Sequence, residues 1–305
     1  MYYDSSLVCY DKLIGCQYDD TTWGVPSGII VVDAGATTVG KTILNIQKAF
    51  SVMKQNKSNC LYIDTEGGAK EIILGWKPVF EKRFDIQTNF TEAKYRVDIV
   101  SRGWRLSNHI QNLPNIILIT VRDLFNLYEL HGSPIKLRLG EGGKIDIIKK
   151  PFLEETEELP IEKTPIGSLV KEFNVKLVIY DSLIELFKQR IPATRENFPA
   201  RANLLHMLMG CLQRLAETYN IPVIGITHTS IDPANPYAKE SPSAINVISY
   251  NTKIITLVQN PYSKAEKAGL RKITIWRHPT KAPFSETYQI KLTNEGFVDV
   301  GEEKQ

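Results

Sequence analysis

The polar and apolar positions of the chain follow two alternating rhythms. Short apolar runs recur at GIIVV (28–32), CLYI (60–63), NIILITV (115–121), VKLVIY (175–180) and IPVIGIT (221–227). Each reads as a buried strand. Between them, ILNIQKAFSVMKQ sets Ile43, Ile46, Phe50 and Met53 at helical spacing. AKEIILGWKPVFEKRF predicts a helix broken near Pro78. ANLLHMLMGCLQRLAETYN predicts a strongly amphipathic helix with Leu204, Leu208, Cys211, Leu212 and Leu215 on one face. DLFNLYELHG and PIGSLVKEFN read as shorter helices, while residues 85–130 as a whole are less plainly patterned.

PIKLRLGEGGKIDIIKK predicts a β-hairpin about the turn 140–143. After it, residues 151–162 hold five glutamates and no base, the mark of a solvated connector. The tail (KIITLVQ, KITIWRHP, TYQIKLT, GFVDV) predicts short antiparallel strands. The expected fold is α/β: a mostly parallel sheet flanked by helices, with antiparallel C-terminal strands and an inserted hairpin. The expected organisation is one domain over 1–305, with 131–163 as an insertion.

Composition sharpens this picture only slightly. The 305 residues are 43% apolar and 23% charged, so a folded core is expected rather than disorder. A net charge of +3 does not by itself imply nucleic acid. Four cysteines with no C-x-x-C pair, and five scattered histidines, exclude zinc-site spacing and suggest free thiols in a reducing compartment. The N-terminus lacks the features of a signal peptide, and no apolar run approaches the ~18 residues of a membrane helix. A soluble cytoplasmic protein with no membrane role is expected.

The candidate chemistry begins at residues 35–42, GATTVGKT, which fit G-x-x-x-x-G-K-[ST]. A strand precedes them and a helix follows, the context a phosphate-binding loop requires. Gly35, Ala36, Thr37, Thr38, Val39 and Gly40 would turn backbone N–H groups toward phosphate oxygens. Lys41 would meet the β- and γ-phosphates, and Thr42 would offer a hydroxyl to Mg²⁺. Asp181, ending VKLVIYD, suits a metal-orienting role. Glu66, in YIDTEGG, suits a water-activating one. Asp64 reads as structural. The cofactors expected are ATP and Mg²⁺.

The ordered set GATTVGKT, LYIDTEGG, LVIYDS and ENFPARANLLHMLMGCLQRLAETYNIPVIGITHT resembles the RecA/RadA recombinase superfamily, in particular the archaeal RadA paralogs (RadB-like). The likeness covers roughly 7–80 and 164–300. It implies a RecA-type P-loop ATPase core, ATP hydrolysis, DNA repair by homologous recombination, and single-stranded DNA as ligand. Carried over by motif, Lys41 and Thr42 are the phosphate and Mg²⁺ residues, Glu66 the catalytic glutamate and Asp181 the Walker B aspartate. Lys70 stands where recombinases place an arginine beside the adenine.

Several departures are visible. The chain begins almost at the core, so the helix-hairpin-helix domain and the Phe-x-x-Ala polymerisation motif are expected to be lacking. Thr227-His228-Thr229 replaces T-N-Q, leaving His228 or Thr229 to sense the γ-phosphate, or His228 as a satisfied strand-end histidine. Arg277-His278-Pro279 replaces the Asp-Ser-Pro cap, which would let Arg277 act in trans as a finger or lie in a solvated basic turn.

Residues 186–201, LFKQRIPATRENFPAR, match the first DNA loop of recombinases. Phe187, Lys188, Arg190, Arg195 and Arg201 are its candidate DNA contacts. The second loop, 230–246, offers Tyr237 and Lys239. The stretch 253–281 holds seven Lys/Arg and one acid.

Three functions compete. One is an accessory recombination ATPase assisting a RadA-type recombinase or other repair protein, with a homo-oligomer among its partner options. Another is a nucleotide-gated protein-interaction module using 131–163. A KaiC-like signalling ATPase is the third.

Overall fold

The computed structural model describes residues 2–15, 24–97, 102–107, 112–133, 135–140, 143–149, 159–231, 240–261 and 269–302. In chain order the first elements are β1 (Tyr2–Tyr3), α1 (Val8–Ile14), β2 (Val25–Pro26), β3 (Ile30–Gly35), α2 (Lys41–Asn56), β4 (Asn59–Asp64) and α3 (Ala69–Phe84). Then come β5 (Asn89–Val97), β6 (Arg102–Leu106), β7 (Asn115–Thr120), α4 (Leu124–Leu130), β8 (Ile135–Leu139), β9 (Ile145–Lys149), α5 (Pro165–Glu172) and β10 (Val175–Asp181). The rest are α6 (Glu185–Arg190), α7 (Phe198–Tyr219), β11 (Val223–Ser230), β12 (Ser241–Pro242), α8 (Ile245–Asn251), β13 (Ile254–Gln259), β14 (Leu270–Arg277), β15 (Thr287–Thr293) and β16 (Gly296–Glu302).

Among the described residues the main sheet runs β16-β15-β14-β13-β3-β11-β10-β4-β7-β5-β6, with β12 pairing on β11. From β13 to β5 every neighbouring pair is parallel. β14, β15 and β16 are antiparallel at one side, and β6 at the other. The expected fold is therefore found, with two refinements. β13 belongs to the parallel section, and an antiparallel edge also closes the far side. The hairpin β8–β9 forms a separate two-stranded sheet.

The central strands carry apolar residues on both faces because both faces are covered. Successive residues feed two cores. Ile30 and Val32, Leu61 and Ile63, and Val178 and Tyr180 enter one core with α4 to α8. Val31, Cys60, Tyr62, Leu177 and Ile179 enter the other with α1 to α3. Each fully buried aliphatic side chain contributes about 1.5–3 kcal/mol relative to exposure.

Three local expectations are corrected. α3 runs unbroken through Pro78, because Pro78 and Leu74, whose carbonyl loses its partner, both face solvent. β5 and β6 escape the hydropathy pattern because the inward residues of β5, Thr91 and Ala93, are small. β12 lies inside the expected second loop, and α8 begins at its end. Tyr237, Lys239 and the greater part of the acidic connector lie outside the described residues. Among the described residues, no helix is long and apolar enough to cross a membrane.

Candidate active site

Parallel strands deliver their carboxyl ends to one edge. In the register, Gly35 of β3 faces His228 of β11, and Asp181 of β10 faces both Ile226 of β11 and Asp64 of β4. The motif loop thus leaves the sheet one strand, β11, away from the acid-tipped β10 and β4, at the edge where open α/β sheets bind ligands.

The loop between β3 and α2 is held tightly. A Cβ on Gly35 would meet Val258 O at 2.5 Å, and Gly40, with φ +93°, would meet the Phe297 ring at 2.8 Å. Only glycine permits both approaches. Val39 is buried, and its carbonyl accepts from Arg271 Nε at 2.9 Å. Ala36 is half-buried, while Thr37 and Thr38 are exposed at the loop crown. Lys41 Nζ donates to Gly35 O at 2.8 Å and Ala36 O at 2.7 Å. Burial pushes its pKa below the usual lysine value, opposed by the carboxylates of Asp181, Glu66, Asp33 and Glu240.

Thr42 Oγ1 and Tyr62 OH each donate to Asp181 Oδ2 at 2.7 Å. Burial raises the Asp181 pKa against these bonds, and the Glu66 and Asp64 charges add to the rise. A buried carboxylate short of positive charge, touching a hydroxyl on the phosphate loop, is a fitting oxygen set for a hard divalent cation. Thr42 and Asp181 would hold Mg²⁺, which would neutralise phosphate charge when bound.

Glu66 stands between β4 and β11. His228 Nε2 donates to its Oε1 at 2.8 Å. This bond, ahead of opposing desolvation and with help from Ser182 and Lys41, lowers the Glu66 pKa. Glu185, from the first turn of α6, brings its carboxylate within 4.8 Å of the same pair. Asp64 is structural as expected: it accepts the backbone N–H of Glu66 at 3.1 Å and Gly67 at 2.7 Å, shaping the turn that presents Glu66. Thr65 Oγ1 donates to Ser182 O at 2.7 Å and ties that turn to β10.

Other candidate residues are placed differently. Lys70 directs its ammonium to Glu92 Oε2 at 2.8 Å on β5, forming a surface ion pair on the side of the sheet away from β3. Arg277 is exposed and faces Ile255 near the start of β13, whereas Gly35 faces Val258 near its end. It therefore sits at the opposite edge from the 35–42 loop of its own chain.

Phe187 is a correction. It is 4% exposed within the core, so its ring offers no face to a base. Arg201 is another: its guanidinium donates to the carbonyls of Ile191 and Lys188 and braces the segment from within. Lys188, Arg190 and Arg195 are exposed as a nucleic-acid role requires. Arg190 also donates to Arg122 O at 2.6 Å. The basic stretch 253–281 divides: Arg271 is buried under the phosphate loop, and Lys281 pairs with Glu286 at 2.9 Å.

The sequence reading missed Tyr62, Glu185 and Arg271. Tyr62, two positions before Asp64 in a parallel strand, carried a local signal. Arg271 carried none, because its partner is 232 residues away.

No family model matches the chain. Among solved structures it is similar to a crystal structure of the RadB recombinase, with 19% sequence identity and a TM-score of 0.57 over 98% of this chain and 99% of that one. The likeness is one of fold: a RecA-like sheet with flanking helices and antiparallel C-terminal strands.

Proposed function

We propose that the chain binds and hydrolyses ATP as a RecA/RadA paralog of homologous recombination and DNA repair, binding single-stranded DNA and assisting or regulating a RadA-type recombinase. The observation that carries this reading is the junction of Lys41, Thr42, Asp181 and Glu66 at one sheet edge. The amides of 36–40 and Lys41 would seat the phosphates, aided by the amino terminus of α2. Glu66 would orient the attacking water and take its proton. Arg277 could reach a nucleotide only in a neighbouring copy, so a finger role requires a homo-oligomer.

The test is ATP turnover by the full chain beside Lys41→Ala, with fluorescent-nucleotide binding in parallel. Loss of turnover and weakened binding in the variant are expected. Equal turnover in both proteins would sink the proposal.

The Glu66–His228 bond favours a second reading, in which ATP is bound but barely hydrolysed and gates contacts with another protein. Tight nucleotide binding with turnover no faster than that of Glu66→Gln would select it.

A further inference from the structure

The hairpin β8–β9 has no part in the nucleotide site, yet it is locked onto the segment that follows α6. Asn197 is fully buried there. Its Nδ2 donates to Gly143 O at 3.1 Å, and its Oδ1 accepts from Ile145 N at 2.8 Å. The hairpin and the 186–201 segment therefore present one continuous surface.

Between the hairpin, the amino terminus of α4 and the end of α6 lies a cleft of about 400 Å³. Half-buried Leu137 and Phe125, 42% exposed, give it an apolar and aromatic surface, laid over the buried Leu124 and Ile135. Lys136 from the hairpin and Arg190 from α6 bring a cation from either side. Arg138, Lys144, Lys188 and Arg195 are also exposed, so positive charge continues along both elements. The acids are largely engaged. Asp123 lines the cleft, but its carboxylate caps α4 through Asn126 N at 2.7 Å and Asn126 Nδ2 at 2.6 Å. Asp146 pairs with Arg138 at 3.3 Å.

We propose that this cleft is a subsite for single-stranded nucleic acid, taking one base against Phe125 and the apolar lining and its flanking phosphates on Lys136 and Arg190. The proposal rests on the reading of the chain as a DNA-binding ATPase and extends it to the hairpin. An aromatic face between cations suits a strand whose bases are flat and whose backbone is anionic. An acidic peptide would use the cations and leave the apolar lining uncovered. The cleft also has a physical route to the turn that carries Glu66. Arg190 bonds Arg122 O, and the Arg122 guanidinium lies so close to Gly67 that a Cβ there would meet Nη1 at 2.3 Å, one residue from Glu66.

The experiment is fluorescence anisotropy with a 5′-fluorescein oligo(dT), at low and moderate salt, on the full chain and on Lys136→Glu, Lys136→Gln and Phe125→Ala. Each substituted side chain is partly or fully exposed, and thermal melts by circular dichroism confirm folding. Each variant is expected to weaken binding by about fivefold or more. The Lys136 variants should also flatten the salt dependence by about one phosphate contact, while Phe125→Ala leaves its slope unchanged. Basal ATP turnover should be unaffected, and a bromodeoxyuridine oligonucleotide should cross-link within 124–139.

Salt-sensitive wild-type binding matched by all three variants overturns the cleft and leaves the DNA reading standing. A wild type that binds no oligonucleotide overturns both. Binding of poly-glutamate that Lys136→Glu abolishes and Phe125→Ala spares, with no oligonucleotide binding, would make the cleft a protein-docking site and overturn the proposal.

Discussion

The Glu66 carboxylate must share its hydrogen bond with His228 when a water is set beside it for the proposed reaction. Glu66→Gln should reduce kcat by about 10²–10⁴-fold while nucleotide binding persists. The bond lowers the Glu66 pKa, so the carboxylate stays ionised at a pH where an unassisted glutamate takes up a proton. Removing it in His228→Ala should raise that pKa and move the acid limb of the kcat profile to higher pH. Turnover measured over about pH 4 to 8 decides this, and an unmoved limb would discount the bond. At this scale the site was legible wherever a residue ends an apolar strand, as Glu66 nearly does and Asp181 does. It was illegible where packing decides. Phe187 sits in a basic segment that reads as a loop, and only its place in α6 against the core reveals that its ring is internal. The Lys70 pairing was hidden for a related reason: its partner, Glu92, belongs to a strand whose own pattern was too weak to place.

Among the elements, the join between β3 and α2 depends on charge as well as on apolar packing. Asp33, which reads in sequence as the polar end of a strand, is completely buried. It accepts from Lys48 Nζ at 2.6 Å, Thr256 Oγ1 at 2.6 Å and Tyr10 OH at 2.7 Å, so α1, α2, β3 and β13 meet on one carboxylate. The Lys48 ammonium also lies 3.6 Å from the Tyr10 ring centroid. Lys48→Met would leave that carboxylate buried without its countercharge, at a loss of about 3–5 kcal/mol in urea unfolding, and adding Asp33→Asn should recover part of it. A loss below about 1 kcal/mol would show the pair to be replaceable. A second junction titrates. His131, the residue after α4, bonds Tyr180 OH of β10 at 2.5 Å, and burial depresses its pKa to about 3. The unfolded chain binds this proton below about pH 6.5, the fold only near 3, so stability falls as pH drops through that window, by about 1.4 kcal/mol per unit. His131→Gln, which cannot titrate, should flatten the slope between unfolding midpoints measured at neutral and mildly acid pH. The same slope in both proteins would refute it.

For the molecule as a whole, the order of strands places chemistry on opposite rims. The phosphate loop, Glu66 and Asp181 occupy the carboxyl rim of the parallel section, and Arg277 occupies the other. If Arg277 serves a neighbour's nucleotide, Arg277→Ala and Lys41→Ala should each be poor ATPases alone, and their mixture should regain a fraction of wild-type turnover. Full activity of Arg277→Ala at every protein concentration would remove the residue from the reaction. The parallel sheet itself was readable from apolar runs long enough to be covered twice. The strands β5 and β6 at one side were not, since β5 turns only threonine and alanine inward.

The phosphate loop is also a matter of timing. Its motif lies within residues 35–42, but Gly40 rests on Phe297, whose backbone exchanges hydrogen bonds with Gln47 of α2 at 2.9 and 2.7 Å. A ribosome therefore makes the loop early and its support more than 250 residues later. Until β16 has emerged, the nascent chain carries the motif without the wall behind it. The ability to grip a nucleotide should thus appear only once β16 has been made, together with the completed sheet.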